Sequence, residues 1–379
     1  MERRDFTKKA LLGAAGAGLL TGCGSEESSA GNGAPNVQPN QQVRWRLASS
    51  FSRSLDTIYG AAEVLAERLK SLTDGNFEIL PYPGGELVPP FEVLGSVQNR
   101  TVEMGHSASY YFIGKNPALA FDCTVPFGLT ARQYNAWLLY GGGMDLMRDL
   151  FADFNILNLP GGNTGTQMGG WFKTGVTSLD DMRGLKMRIP GLGGQVMSEM
   201  GVNTQVLPSG EIYPSLERGA IDAAEWVGPY DDEKLGFYEV SQYYYYPGWW
   251  EPGPALTFYV NRDAYDSLPT QYQEALETAA AEASLHMLAQ YDHKNPAALD
   301  RILDKDITLR RFPDEVMSRA QKVTTQLLED NASGNKQYRK IYEAYKEARE
   351  DAYRWFGTAE LGYANFAFPR PGQQPSTST

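Results

Sequence analysis

The sequence predicts an α/β protein of two lobes. Short β-rich runs alternate with amphipathic runs of helical period, and that pattern starts twice. A glycine-rich passage, Gly161-Gly162-Asn163-Thr164-Gly165, separates the two starts and gives the chain a place to bend. Strand and helix in alternation lead to mostly parallel sheets with helices against their faces.

Val43 to Ala48 sets Val, Trp and Leu against two arginines, the period of a half-buried strand. A helix follows, because Leu55, Ile58, Tyr59, Ala62, Leu65, Ala66, Leu69 and Leu72 recur every three or four residues, with Ser54 as N-cap and Gly75 as stop. Phe77 to Leu80 reads as a strand, Phe91 to Gln98 as a short helix behind Pro89-Pro90, and Thr101 to Ser107 as a strand. After the glycines come Thr166 to Phe172 as a strand, Ser178 to Met182 as a capped turn and Leu185 to Ile189 as a strand. Gln195 to Met200 is then a helix, Asn203 to Leu207 a strand, Ile212 to Arg218 a helix and Ile221 to Trp226 a strand. Past the aromatic segment Tyr243 to Trp250, Ala255 to Asn261 is expected to return to the first lobe. Helices over Thr270 to Asp292, Pro296 to Asp304, Asp314 to Asn331 and Asn335 to Trp355 close the fold.

One lobe is therefore expected over residues 43–164 with 253–293 and the other over 165–252 with 294–332. A C-terminal helical segment, 333–368, and a Pro/Gln/Ser-rich disordered tail, 369–379, follow. Tyr338, Ile341, Tyr342, Tyr345, Ala348 and Tyr353 gather near one face of the last helix. That face is expected to pack on a second copy of the chain, giving a homodimer, with docking on its own lobe as the alternative.

The N-terminus carries export chemistry. Arg3-Arg4-Asp5-Phe6-Thr7-Lys8 precedes an apolar run from Ala10 to Leu20, too short to span a bilayer, which needs about 20 apolar residues. The paired arginine points to the twin-arginine route, although Glu2 and Thr7 depart from that motif. Leu20-Thr21-Gly22-Cys23 resembles the lipobox of bacterial lipoproteins, so residues 1–22 are expected to be an export signal and Cys23 the lipidated first residue. An ordinary signal cut at another small residue is the alternative. Residues 24–42, rich in Ser, Gly, Asn, Pro and Gln, read as a tether with a reach on the order of 25 Å. A periplasmic protein, lipid-anchored to a membrane, is the expectation.

The net charge of −12, which falls to about −14 once residues 1–22 are removed, argues against a nucleic-acid partner. Cys23 and Cys123 are the only cysteines, so no disulfide framework is available, and Cys123 reads as a small buried residue. His106, His286 and His293 form no metal-binding spacing, and Gly191-Leu192-Gly193-Gly194 lacks a glycine of the dinucleotide loop.

Ligands of open α/β sheets gather outside the carboxyl ends of the strands, so strand-ending polar residues are the candidates. Arg188, Glu225 and Gln167 stand there, and Glu251 directly follows Trp249-Trp250. Arginine offers a planar fork that matches a carboxylate; a lone arginine is more often a surface ion-pair partner, and the strand-end position of Arg188 points instead to a ligand clamp. A glutamate among aromatic rings needs a positive partner, here Arg188 or a metal ion; otherwise it points to water while the rings pack a seam.

Four segments resemble one family: Asn163 to Phe172, Gly184 to Arg188, Glu225 to Phe237, and Tyr243 to Glu251, with support from Trp45 to Phe51 and Tyr110-Tyr111. They are similar to the extracytoplasmic solute receptors of tripartite ATP-independent periplasmic (TRAP) transporters, in the branch that binds 2-oxo acids. The likeness covers most of residues 43 to 330. It implies a two-lobed periplasmic binding protein, a clamp with crossing strands, a long inter-lobe helix and extra C-terminal helices, that is not an enzyme. It further implies a 2-oxo or 2-hydroxy monocarboxylate held by Arg188, with Gln167, Tyr111 and Trp226 against the substrate. A cation, sodium or calcium, would be held by the Gln167 side chain, the Glu225 carboxylate, the Trp226 carbonyl and the Glu251 carboxylate. Oxygen ligands suit such hard cations. The membrane permease is the implied partner. Pro190 departs from the branch and touches the pocket wall. An exported enzyme acting on a small acid, or the binding component of another importer or sensor, are the competing readings.

Overall fold

The computed structural model describes residues 41–368; the export signal 1–22, Cys23, the tether as far as residue 40 and the tail 369–379 lie outside the described residues. From β1 (Val43–Ser49) the chain runs through α1 (Gly60–Leu72), β2 (Phe77–Tyr82), α2 (Val93–Gln98), β3 (Met104–Ser107), α3 (Ala131–Tyr140) and α4 (Gly143–Ala152) to β4 (Ile156–Asn163). It then forms β5 (Trp171–Phe172), β6 (Lys186–Arg188), α5 (Gly191–Glu199), β7 (Asn203–Gln205), α6 (Ser209–Glu217), β8 (Ala223–Ala224), α7 (Pro229–Lys234) and β9 (Tyr243–Tyr246). The last stretch holds β10 (Ala255–Asn261), α8 (Arg262–Asp266), α9 (Thr270–Leu303), β11 (Thr308–Arg311), α10 (Asp314–Gly334), α11 (Lys336–Thr358) and α12 (Glu360–Ala367).

Two sheets result, ordered β2-β1-β3-β10-β4 and β11-β9-β5-β8-β6-β7. The strands are less uniformly parallel than the alternation predicts. In the first sheet β10 runs antiparallel to both β3 and β4, and in the second β5 runs antiparallel to both β8 and β9. The reason lies in the path: β5 and β10 are the strands by which the chain enters one sheet after leaving the other. The two crossing connections, residues 164–170 and 247–254, lie side by side. Thr164 N–H donates to the Pro254 carbonyl at 3.1 Å and Gly248 N–H to the Gln167 carbonyl at 2.9 Å. Helix α9 packs against β4 of the first sheet, against α1, and against α7, the helix that follows β8 of the second sheet.

Several local expectations change. Gly161 and Gly162 do not form the bend; they sit inside β4, where a Cβ on Gly161 would come within 2.7 Å of the Phe258 nitrogen on β10. The bend is at residues 164–170, which also shortens the expected strand 166–172 to β5. Ser54 does not cap α1, because its hydroxyl pairs with Ser52 and residues 53–59 form turns; Leu55, Ile58 and Tyr59 are buried all the same. The strand expected from Thr101 starts at Met104, since the Thr101 and Val102 N–H groups still bond the Ser96 carbonyl at the end of α2. Pro296 does not divide the long helix: α9 continues through it for 34 residues. Strands β4, β9 and β11 and helices α3, α4, α7, α8 and α12 were not among the expected elements.

The tyrosine face of α11 is covered by the chain's own residues, not by a partner. Tyr338, Ile341, Tyr342 and Tyr345 are buried, with the Phe121 ring 5.1 Å from Tyr338 and the Trp137 ring 5.1 Å from Tyr345. Tyr345 also accepts a hydrogen bond from the Leu129 N–H at 2.9 Å. Its truncation leaves an aromatic-sized cavity and an unpaired buried N–H. Tyr345→Ala should therefore destabilise the protein by about 3–5 kcal/mol in urea denaturation, at every protein concentration tested. A loss that shrank on dilution would instead place the face at an intermolecular contact.

Candidate functional site

Arg188 ends β6 and Glu225 follows β8, and the two strands are neighbours with Arg188 opposite Ala224 in register. Gln167 and Glu251 lie on the two crossing connections, where the Gln167 N–H donates to the Glu251 carbonyl at 3.1 Å. Tyr110 and Tyr111 occupy a 3-10 turn, Ser109–Phe112, just past β3. Strand ends of both sheets and both crossings thus deliver polar side chains to one place. The sequence-predicted residues Gln167, Arg188, Tyr111, Glu225, Trp226 and Glu251 all meet there.

Arg188 is 1% exposed, which removes the surface ion-pair reading. Its Nε donates to the Leu207 carbonyl at 3.0 Å and Nη1 to the Glu225 carbonyl at 3.0 Å, while Nη1 also pairs with the Glu225 carboxylate. Nη2 reaches the Tyr111 hydroxyl at 3.5 Å. The guanidinium lies over the Trp226 ring, 4.9 Å from its centroid, a cation–π arrangement.

The acidic side of the site has a shortage of donors. Glu225, Glu251 and Gln167 are buried, and one side-chain oxygen on each, Glu225 Oε2, Glu251 Oε2 and Gln167 Oε1, has no hydrogen-bond partner. The Gln167 amide nitrogen gives one of its two N–H groups to Thr164 Oγ1 at 3.0 Å. Burial pushes the Glu225 carboxyl up, and Arg188 opposes that shift. Burial pushes Glu251 up too, with repulsion from Glu225 adding to it. Two carboxylates face one guanidinium, so with both ionised the site is one positive charge short.

A small cavity lined by Phe51, Ile58, Tyr110, Tyr111, Gln167 and Trp226 adjoins these groups. Tyr110 and Tyr111 also form one wall of a wider, open cleft bounded by Ile189, Pro190 and Gly191. Gly191 packs flat on the Tyr110 ring: its φ is +65° and a Cβ there would come within 3.0 Å of the Tyr110 Cβ, so the seam closes only with glycine. Pro190 is part of this wall, as the sequence suggests.

The remaining candidates fall away from the site's chemistry. Cys123 is buried and its thiol is pushed up by burial and then by Glu251 and Asp122, which keeps it unreactive. His106 bonds the Gly161 carbonyl at 2.9 Å, and burial lowers its pKa to about 4, so it is neutral. Among the described residues no group of three or more His, Cys, Asp and Glu could hold a metal ion. Sequence reasoning missed Tyr110, whose signal was its place in the Tyr110-Tyr111 pair, and Thr164, for which there was none.

Residues 48–335 match the family model of bacterial extracellular solute-binding proteins, family 7. A relative from Nostoc sp., a monocarboxylate 2-oxoacid-binding periplasmic protein, is 51% identical over 367 residues, covering 97% of this chain and 99% of that one. A solved TRAP solute-binding protein from Bordetella bronchiseptica, a mixed-occupancy dimer with calcium and picolinate in its active site, is 49% identical with a TM-score of 0.86, covering 87% of this chain and 98% of that one. A TRAP solute-binding protein from Pseudoalteromonas atlantica with bound sodium and pyruvate is 38% identical with a TM-score of 0.82, covering 86% of this chain and 99% of that one.

Removing the guanidinium isolates the Glu225 carboxylate in a dry interior. Arg188→Ala should cost about 3–5 kcal/mol of stability at pH 7.5. In that variant the folded-state pKa of Glu225 stands well above its unfolded value, so stability is lost as pH rises through that range and recovered as pH falls. Chemical denaturation at pH 5 and pH 7.5 checks this, the expected deficit being smaller at pH 5.

Proposed function

The chain belongs to the bacterial extracellular solute-binding proteins of family 7, and from that premise we propose that it is a TRAP receptor for a small 2-oxo or 2-hydroxy monocarboxylate bound with a hard cation. The observation that carries this reading is the group of three unpartnered buried oxygens, Glu225 Oε2, Glu251 Oε2 and Gln167 Oε1. A buried carboxylate pair with one arginine is costly alone, and a cation among those oxygens relieves it. Together with the Trp226 carbonyl they form an all-oxygen donor set, which sodium or calcium favours and zinc or copper does not.

Arg188 is then free to turn its fork from Glu225 to the acid's carboxylate, with the Tyr111 hydroxyl alongside. The ligands named for the solved relatives share one feature. Pyruvate carries an oxo oxygen, and picolinate a ring nitrogen, on the carbon next to the carboxylate; either closes a five-membered chelate ring on a cation. Charge separates the two ions: Glu225, Glu251 and a monocarboxylate against Arg188 leave the site at −1 with sodium and neutral with calcium, which favours calcium.

The lobes of this clamp are residues 43–164 with 253–293 and residues 165–252 with 294–332. Residues 1–22 act as an export leader, by the twin-arginine route, and Cys23 as a lipid anchor, which keeps the receptor near the permease in the periplasm. Among the described residues no helix is long and apolar enough to cross a membrane. Self-association fits the end of the chain better than the tyrosine face of α11, because Leu361, Tyr363, Phe366 and Phe368 on and after α12 are exposed. The reading as a receptor and not an enzyme rests on the relatives, which are solute-binding proteins.

Cation and acid should bind with positive coupling, each raising the other's affinity by the same factor. Calorimetric titration of pyruvate, lactate, longer 2-oxo acids and propionate into metal-free protein, repeated with sodium and with calcium, measures it. The expected result is tight binding of 2-substituted acids only with a cation, lost in Glu225→Gln. Tight binding of a 2-oxo acid with neither ion would overturn the cation, and Arg188 with the aromatic walls would carry recognition alone.

A further inference from the structure

Asp231 and Asp232, in the first turn of α7, are 0% and 1% exposed and lie outside the donor set above. Neither has a basic side chain among its hydrogen-bond partners; those partners are aromatic side chains and one backbone N–H. Asp232 accepts from Trp171 Nε1 at 3.0 Å, from the Tyr244 hydroxyl at 2.7 Å and from the Val227 N–H at 3.5 Å, inside the second sheet and the loop that follows β8. Asp231 does something different. It accepts from the Tyr291 hydroxyl at 2.7 Å and from Trp226 Nε1 at 3.3 Å. Trp226 is the ring under the Arg188 guanidinium, and Tyr291 lies on α9, the helix that packs on both β4 and α7.

A carboxylate with a purely structural role here would only satisfy its two donors, and its loss would cost stability without changing affinity. An anion at the indole N–H has two effects an apolar group lacks. It fixes the rotation of the ring, and it draws the N–H proton, leaving the ring face more electron-rich for the guanidinium above it. We propose that Asp231 is a positioning residue of the acid site, holding the Arg188 fork through the Trp226 ring and tying that ring to α9 through Tyr291. The inference rests on the assignment of Arg188 to the acid's carboxylate.

The test is a double-mutant cycle of Asp231→Asn and Trp226→Phe, read as pyruvate affinity with calcium present, with urea denaturation alongside. Asp231→Asn should weaken pyruvate about tenfold, the lower end of what loss of an outer-shell partner costs. In the Trp226→Phe background, which keeps a ring but has no N–H to orient, the same substitution should cost less than about twofold. Equal losses in both backgrounds would overturn the proposal, because Asp231 would then act on the scaffold alone. Should Asp231→Asn fail to fold, Trp226→Phe alone decides: it leaves Asp231 bonded to Tyr291, and an unchanged affinity for pyruvate would overturn the proposal. A wild-type protein that binds no 2-oxo acid under these conditions points instead to failure of the functional reading.

Discussion

The structure depends on how a buried pair of carboxylates is compensated. Glu225 and Glu251 are brought together in a dry seam with a single guanidinium between them and the aromatic walls. Such a cluster is a weak contributor to stability, because desolvating each charge costs several kcal/mol and one arginine offsets only part of it. On the proposed function, a bound cation and acid would complete the charge balance of this cluster.

The topology follows from the same requirement. Opposed groups must come from different sheets, and no single βα unit can supply them. The chain therefore crosses along residues 164–170 and 247–254, and each of these connections carries one oxygen ligand candidate, Gln167 and Glu251; it returns to the second sheet once more through α9 and β11. Because the crossings bond each other, those two side chains hold a fixed spacing while Arg188 and Glu225 arrive on strand ends of the second sheet and Tyr110 and Tyr111 on the first. The antiparallel insertion of β5 and β10 is the geometric result of that path.

Much of this was legible in the sequence, for reasons that can be named. The helical period of residues 55–72 placed the buried face of α1 correctly, and strand-end reasoning selected Arg188 and Glu225 because ligands of open α/β sheets gather outside the carboxyl ends of the strands. The failures have physical causes. The Ser54 cap lost to a hydroxyl pair with Ser52. Strand β9 is hidden in an all-aromatic run with no polar alternation, since Tyr244 and Tyr245 are both buried. Helix α3 had a readable start, the capping box of Thr130 and Gln133, and was missed because no long apolar period follows it. The tyrosine stripe of α11 had the pattern of a docking face, but a pattern does not say which surface receives it; only the positions of Phe121 and Trp137 do.

The treatment of other buried acids shows that the unpartnered oxygens of the site are no oversight of packing. Asp122 is as buried as Glu251, yet its carboxylate accepts from Ser109, Thr257 and Asn158 side chains, at 2.5, 2.6 and 3.1 Å. Asp232 accepts from three donors as well. Both of these carboxylates have neutral donors, and burial still pushes Asp122 up to about 6 despite three of them, whereas Asp231 keeps one oxygen, Oδ1, without a partner. At Glu225 and Glu251 one carboxylate oxygen each, Oε2, is left without a donor, and a third unpartnered acceptor, Gln167 Oε1, stands with them. Acceptors gathered without donors have no mutual attraction, and what they have in common is affinity for a positive charge. A hard cation supplies that charge, and the coordination positions it keeps open to the cavity are where a carboxylate with an adjacent donor atom gains over a simple acid. Selectivity for 2-oxo acids on this reading is a property of the missing donors as much as of Arg188.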